Sequence, residues 1–383
     1  MQPLRILILT NLYPPQAIGG YERAIADYAK ILHQRGHQVL VLTSDTQKHK
    51  VNYIRDNLEP PVKSCFNLTG TWSNGKALWF SPEEVVPINS QNKTILNAEI
   101  QNFQPQVCLA GNIDFLGLEL LQIILSSGIP IAHYVMNANP GYFPEETPQT
   151  PDYKYITCSN WLKEHLQTQG YPTESTQTIY PGAAVTEFYQ PELPPRDRLR
   201  IAYASLVMPY KGADILIAAL SLLETLGIEF TATIAGGNFQ PEFVEALQEM
   251  VELEGLTEKI KFPGVLSREE LKQLYRTHNV LVFPSRFAEP FGISQIEAMA
   301  AGLTLVTSAT GGAKEIVEHQ VDGLVFESEN PLDLADILST LPQFPEEWQA
   351  ITRQGQQRAL SEFNQTKTVE QLESVFQELI TNN

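Results

Sequence analysis

Val280-Leu281-Val282-Phe283-Pro284-Ser285-Arg286-Phe287-Ala288-Glu289-Pro290-Phe291-Gly292-Ile293-Ser294-Gln295-Ile296-Glu297 reads as an apolar strand, a glycine turn and a helix running to about Ala301. An unbroken apolar run ended by proline suits a strand covered on both faces. The helix start presents unpaired N–H groups and a positive dipole end, a setting for a phosphate or for sugar hydroxyls. Gly292 has no side chain to hold a ligand away from those N–H groups. Glu289 precedes the helix and Glu297 lies about one turn inside it, so the two carboxylates can reach different parts of one bound molecule.

Outward from this stretch, strand and helix patterns alternate, which predicts an α/β chain with parallel sheets and crossover helices. In the first half, strands are expected at Leu4–Thr10, Gln38–Thr43, Gln106–Ala110, Ile129–Val135 and Lys154–Cys158. Helices are expected at Tyr21–Gln34, after the turn Gly19-Gly20, and near Asn160–Thr168. Residues 45–95 read as irregular. A connector punctuated by Pro181, Gly182, Pro191, Pro194 and Pro195 suggests a boundary, giving domains 1–185 and 186–365. The second domain repeats the alternation, with strands at Arg200–Ala204, Phe230–Ala235, Lys261–Phe262 and Thr304–Thr307. Helices are expected at Asp214–Leu226 and Pro241–Glu254, after a capping box at Ser267 and Glu270, and after Thr310-Gly311-Gly312. The tail, 366–381, is a separate amphipathic helix with Val369, Leu372, Val375, Phe376 and Leu379 on one stripe. Two doubly wound domains place their ligand loops at the C-terminal ends of the strands, so a nucleotide-linked substrate would lie in their shared cleft.

The 383 residues are 43% apolar and carry a net charge of −18, concentrated in the second half. Residues 1–189 hold 12 Lys+Arg against 16 Asp+Glu; residues 190–383 hold 14 against 28. Such acidity argues against a nucleic-acid partner. It also disfavours firm docking on anionic lipid, leaving only weak peripheral membrane contact through the mildly basic first 63 residues. No apolar run reaches the roughly 18 residues of a membrane span. Cys65, Cys108 and Cys158 have no metal spacing and read as reduced thiols of a cytoplasmic protein.

The second half resembles the retaining GT-B glycosyltransferases of family 4 (glycosyl transferases group 1). The match is strongest at Phe283-Pro284-Ser285 through Glu297, and again at Ser308-Ala309-Thr310-Gly311-Gly312-Ala313-Lys314-Glu315-Ile316-Val317 with Asp322-Gly323-Leu324-Val325. Met208-Pro209-Tyr210-Lys211-Gly212 is similar to the family's lysine loop. Asn11-Leu12-Tyr13-Pro14-Pro15 with Gly19-Gly20 is similar to its N-terminal opening, and Thr157-Cys158-Ser159-Asn160-Trp161-Leu162 to a late N-domain signature.

This resemblance implies a metal-independent enzyme without cofactor that moves a sugar from a nucleotide-diphosphate donor to a hydroxyl of a sugar, glycan or lipid-linked glycan. UDP is the implied nucleotide and glucose the commonest sugar. Glu297 would take the ribose hydroxyls and Lys211 the diphosphate, while Glu289 and the backbone of Phe291, Gly292 and Ile293 hold the sugar. Lys211 and Glu289 are thus the catalytic candidates. Val265 would meet the base through main chain, Gly236 joins the donor set, and Gly19-Gly20 would approach from the other domain. The resemblance also implies that the tail helix packs back on the N-terminal domain.

Two positions depart from the pattern. Ser205 stands where the family usually has an arginine, and Arg286 is either a substitute cation or an ordinary loop residue. Met136-Asn137 occupies the place of a usual histidine, with His133 three residues earlier, either a displaced functional group or a strand residue bonded locally. His133, Met136 and Asn137 are therefore the acceptor-side candidates. A nucleotide-sugar 2-epimerase or phosphorylase and a non-catalytic sugar-nucleotide binder remain as alternatives. An epimerase would want further acid/base groups and a phosphorylase a pyridoxal lysine, and neither is recognisable.

Overall fold

The computed structural model of the protein describes residues 2–51, 53, 55–73 and 76–381. The chain separates into two units, Met1–Pro181 with Gln365–Asn383, and Gly182–Asn364. The division falls at Pro181, four residues before the boundary expected at 185.

The first unit runs β1 (Arg5–Leu9), α1 (Gly20–Gln34), β2 (Gln38–Ser44), β3 (Val62–Phe66), β4 (Gly70–Ser73), β5 (Lys76–Trp79), α2 (Pro82–Phe103), β6 (Val107–Ala110), α3 (Leu118–Ser126), β7 (Ile131–Val135), β8 (Tyr153–Thr157), α4 (Asn160–Thr168) and β9 (Gln177–Thr178). Seven of these strands form one parallel sheet in the order β3-β2-β1-β6-β7-β8-β9. β1, β6 and β7 are buried along almost their whole length because helices cover both faces.

The region expected to be irregular holds β3, the β4–β5 hairpin and the 22-residue α2. In α2 only Asn92 and Leu96 are buried and Pro87 sits inside the helix, so its apolar stripe of Val85, Ile88, Leu96, Ile100 and Phe103 is interrupted and half-exposed. Its start is instead held by a capping box, with Ser81 N–H donating to Glu84 Oε2 at 3.0 Å.

The second unit runs α5 (Val185–Phe188), β10 (Leu199–Ala204), α6 (Ala213–Thr225), β11 (Phe230–Ala235), α7 (Pro241–Leu253), β12 (Ile260–Gly264), α8 (Arg268–Thr277), β13 (Val280–Phe283), α9 (Ile293–Ala300), β14 (Thr304–Thr307), β15 (Leu324–Val325), α10 (Pro331–Thr340) and α11 (Pro345–Glu362). Its six strands are parallel in the order β12-β11-β10-β13-β14-β15. The helix expected after Thr310-Gly311-Gly312 is a short 3-10 turn, Gly312–Glu315.

α12 (Gln365–Thr381) returns to the first unit and packs on α1, β6 and β7. Its stripe residues Val369, Leu372, Val375, Phe376 and Leu379 are all buried. Beside them Glu373 accepts two bonds from Arg35, at 2.9 and 3.0 Å, and lies 2.9 Å from His37 Nε2. His37 Nδ1 accepts from Leu4 N–H at 3.0 Å, so Nε2 carries the proton and donates to Glu373. Burial pulls the Glu373 carboxyl up, but the bonds from Arg35 and His37 prevail and leave it below its ordinary value. Among the described residues, no helix is long and apolar enough to cross a membrane.

Glu373→Ala leaves Arg35 and His37 facing an empty place, and should cost the first unit about 2–3 kcal/mol in urea unfolding at pH 7. A carboxyl held low in the folded state stabilises above its unfolded value of about 4.3 and loses that contribution as pH falls through its folded value. The gap between wild type and variant should therefore narrow in acid, and an equal gap at pH 7 and pH 3 would remove the ion pair as its cause.

Candidate active site

In the second unit the donor-side candidates lie at the C-terminal ends of parallel strands, in the loops there or, for Ile293 and Glu297, in the first turns of α9. Ser205 and Lys211 follow β10, Gly236 follows β11, Val265 follows β12, and Arg286 through Gly292 follow β13. The strand order reverses between β10 and β13, which is where an open sheet of this kind leaves a crevice.

The structure brings Lys211 and Glu289 into direct contact, Nζ to Oε1 at 2.5 Å, with both side chains largely buried. The same carboxylate oxygen accepts from Ser285 Oγ at 2.5 Å. Lys211 Nζ also lies 5.5 Å from the ring centre of Tyr210 and 5.7 Å from that of Phe287. Without a ligand the cation and the carboxylate thus satisfy each other. A ligand bearing both negative oxygens and hydroxyls can divide them, the ammonium taking the charge and the carboxylate the hydroxyls.

The surrounding loops are braced by main chain. Glu289 carbonyl accepts from Gly312 N–H at 2.6 Å. Thr310 Oγ1 donates to the Phe287 carbonyl at 2.6 Å, and Ser308 Oγ to the Ser285 carbonyl at 2.7 Å. Gly212, with φ +73°, caps α6 so close to β13 that a Cβ would stand 2.0 Å from the Pro284 carbonyl. Gly236 backs onto the Ser205 carbonyl, where a Cβ would lie at 1.7 Å.

Gly292, with φ +121°, is the N-cap of α9 and supplies no side-chain cap. Phe291 is buried and its ring packs on Phe363 at 5.8 Å, so this residue offers a ligand only its backbone. Ile293 and Glu297 are half-buried one turn apart on α9 and share a face. Val265 is exposed.

Arg286 is already engaged. Its guanidinium forks onto Asp214 at 2.8 and 2.7 Å, and also donates to Glu329 at 3.1 Å and to the Pro209 carbonyl at 2.6 Å. These contacts tie the β13 loop to the start of α6, which makes Arg286 a brace. Ser285 and Asp214 were not anticipated. Both lie within or next to the quoted motifs, but only the fold brings them to Glu289 and Arg286.

In the first unit, Gly19 N–H donates to Glu22 Oε2 at 3.0 Å, which closes the start of α1 at Gly20. His133 is buried, with Nδ1 2.6 Å from the Tyr153 hydroxyl and Nε2 3.1 Å from the Gly111 carbonyl. A carbonyl only accepts, so Nε2 carries the proton and Nδ1 accepts from Tyr153. Burial pushes the imidazole down to about 3, so it stays neutral. Tyr142, Tyr155 and Thr147 extend this network of hydroxyls. His133 is therefore bonded locally. Met136 is buried, whereas Asn137 Nδ2 donates to both oxygens of Asp114 at 2.8 and 3.0 Å. Asp114 itself was missed because it stands in no motif; its place after β6, beside the strand-order reversal, is the signal that marks it.

Residues 185–358 match the profile of the family described as Glycosyl transferases group 1. Among curated proteins the chain is 26% identical over 359 residues to the uncharacterized glycosyltransferase MJ1607 of Methanocaldococcus jannaschii, covering 87% of both. It is 32% identical over 148 residues to the D-inositol 3-phosphate glycosyltransferase of Xylanimonas cellulosilytica, covering 38% of this chain and 34% of that protein. The match spans 33–53% of the length of the D-inositol 3-phosphate glycosyltransferases that it aligns with. Among solved structures, the glycosyltransferase of Rickettsia africae superposes with a TM-score of 0.80 at 17% identity, covering 100% of each chain. Anabaena HepE in complex with UDP and glucose gives 0.75 at 21% identity, covering 98% of this chain and 99% of that one. The chain is a transferase-type enzyme on the α/β GT-B fold, and its residues 185–358 match the family described as Glycosyl transferases group 1.

Proposed function

We propose that the chain is a retaining glycosyltransferase of family 4 that moves a sugar from a nucleotide-diphosphate donor, UDP-glucose first among them, to an acceptor hydroxyl, with neither metal nor cofactor. The observation that carries this reading is the buried Lys211–Glu289–Ser285 group beside the uncapped start of α9. The binding of UDP and glucose by the neighbour HepE supports the choice of donor to test first.

In this reading the diphosphate draws Lys211 away from Glu289, and Glu289 turns its freed oxygen to the sugar hydroxyls while Ser285 keeps it in place. The backbone at Phe291, Gly292 and Ile293 approaches the sugar, and Glu297, a turn further on, takes the ribose. As the bond from the anomeric carbon to the diphosphate lengthens, charge gathers on the leaving oxygens, the acceptor oxygen bonds to that carbon on the same face, and its proton passes to the departing diphosphate. Lys211 and the helix-start N–H groups are set there in advance, and such preorganised stabilisation is commonly the largest catalytic contribution. Ser205 supplies a hydrogen bond where a cation is usual. Among the described residues no group of three His, Cys, Asp or Glu is arranged to hold a metal ion. We place the reaction in the cytoplasm, with any membrane contact weak and peripheral.

The test is release of free UDP from UDP-glucose, with and without saccharide acceptors, followed by analysis of the sugar. Transfer or slow donor hydrolysis supports the proposal; interconversion of the sugar would indicate an epimerase, and binding without turnover a non-catalytic binder. Glu297→Ala should weaken UDP binding by about 1–3 kcal/mol, the scale of a charge-assisted hydrogen bond, without lowering the melting temperature. Unchanged affinity would remove Glu297 from the site.

Lys211→Ala should abolish release of UDP and also destabilise the second unit by about 3 kcal/mol, since it strands the buried Glu289 carboxylate. The double variant Lys211→Met, Glu289→Gln should recover stability but not turnover. Recovered turnover would show that the pair is only structural. EDTA should leave the rate unchanged, and a loss that magnesium or manganese reverses would overturn the metal-free mechanism.

A further inference from the structure

At the C-terminal ends of β1, β6 and β7 the first unit holds a carboxylate between two amides. Asp114 Oδ2 accepts from Asn11 Nδ2 at 3.1 Å, and both oxygens accept from Asn137 Nδ2. Because Asn137 Nδ2 is committed to Asp114, Asn137 Oδ1 is an acceptor, and it is buried with no hydrogen bond. Among the described residues Asp114 enters no ion pair. Burial pushes its carboxyl up to about 6, against the bonds from Asn137, its own backbone and Asn11, and the charge of Glu22 raises it further. β1 and β6 are the neighbours between which the strand order reverses, the position where open parallel sheets receive ligands.

An aromatic pocket adjoins this group. Phe115 N–H donates to Asn11 Oδ1 at 3.2 Å, and the Phe115 ring meets Trp72 edge-on at 4.6 Å. Asn11 carbonyl accepts from Thr43 Oγ1 and Ser44 N–H, and Asp45, the next residue, lines a cavity of about 260 Å³ with His49, Asn67, Trp72 and Phe80. Lys48, also on its wall, donates to Thr71 Oγ1 at 3.2 Å.

The first part has one sign, while the cavity wall carries Asp45 and Lys48 together and so no net charge of either sign. Asp114 and Asn137 Oδ1 call for hydrogen-bond donors, and a phosphate placed there would meet the negative charges of Asp114 and Glu22. A ring with a C–H face and hydroxyl edges suits Trp72, whose π face is negative, together with the polar walls at Asp45 and Asn67. We propose that the first unit binds an uncharged saccharide of at least two rings as the acceptor, its reacting ring on Asn11, Asp114 and Asn137 and the neighbouring ring against Trp72. This rests on the reading of the chain as a glycosyltransferase, and names an acceptor class different from the phosphorylated one for which the inositol 3-phosphate relatives are named.

The test is calorimetric binding to the full chain of glucose, maltose and cellobiose against glucose 6-phosphate and inositol 3-phosphate. UDP binding is measured first, alone, and its absence counts against the donor reading rather than against this one. The saccharide titrations are then run without nucleotide. Neutral disaccharides should bind at least tenfold more tightly than either phosphorylated probe. Asp114→Asn should weaken every neutral saccharide at least tenfold, and Trp72→Ala should weaken the disaccharides to the level of glucose while leaving glucose unchanged. Melting temperatures equal to wild type show that both variants remain folded; should Asp114→Asn melt early, Asn137→Ser carries the same expectation. Equal or tighter binding of the phosphorylated probes, no binding of any neutral saccharide, or variants with wild-type affinity would overturn the proposal.

Discussion

A carboxylate inside a protein must be satisfied, and much of the second unit is arranged around that demand at Glu289. An isolated buried charge costs several kcal/mol, so the residue persists only because Lys211 and Ser285 meet the same oxygen. Holding Lys211 there requires α6 to begin hard against β13, and that contact admits nothing larger than Gly212. Gly311 is bound by a similar limit, since a Cβ would come within 2.5 Å of the Glu289 carbonyl. The glycines, the hydroxyls of Ser308 and Thr310 and the Arg286–Asp214 fork all serve to hold one charged pair in a crevice that a ligand can enter.

Such a pair is also a store of selectivity. Each partner can leave the other only for a group that replaces what it loses, since neither charge tolerates being left alone. A simple anion would satisfy Lys211 and strand Glu289; a neutral polyol would do the reverse. A molecule that joins negative oxygens to hydroxyls at the right separation replaces both, so the resting pair disfavours half-ligands such as inorganic phosphate or a free sugar.

The site of the second unit was largely legible in the sequence because its residues are local. Strand, turn and helix from Val280 to Glu297 are contiguous, and Lys211 lies in a recognisable loop. In the first unit Asn137 was a candidate and Asn11 stood in a quoted motif, but Asp114 was not legible, because the three come from separate strand ends and only the order β1-β6-β7 assembles them. α2 escaped notice for a different reason. Its inward face is only half-buried and is broken by Pro87 and the polar Asn92, so hydrophobic periodicity, the main signal for helices, is weak there. Arg286 shows the limit of proximity in sequence: a cation beside the donor loop proved to be part of the frame.

The return of α12 makes the first unit discontinuous, with the second unit set into it like a long insertion. Arg35 and Glu373, which bind each other, are 338 residues apart in the chain. During synthesis the second unit, continuous from Gly182 to Asn364, can complete its sheet as soon as it emerges. The first unit cannot cover the groove beside α1 until residues 365–381 are made, and so waits through the whole translation of its neighbour with that apolar surface open. Completion of the first unit therefore follows the arrival of α12, whose apolar stripe closes that groove.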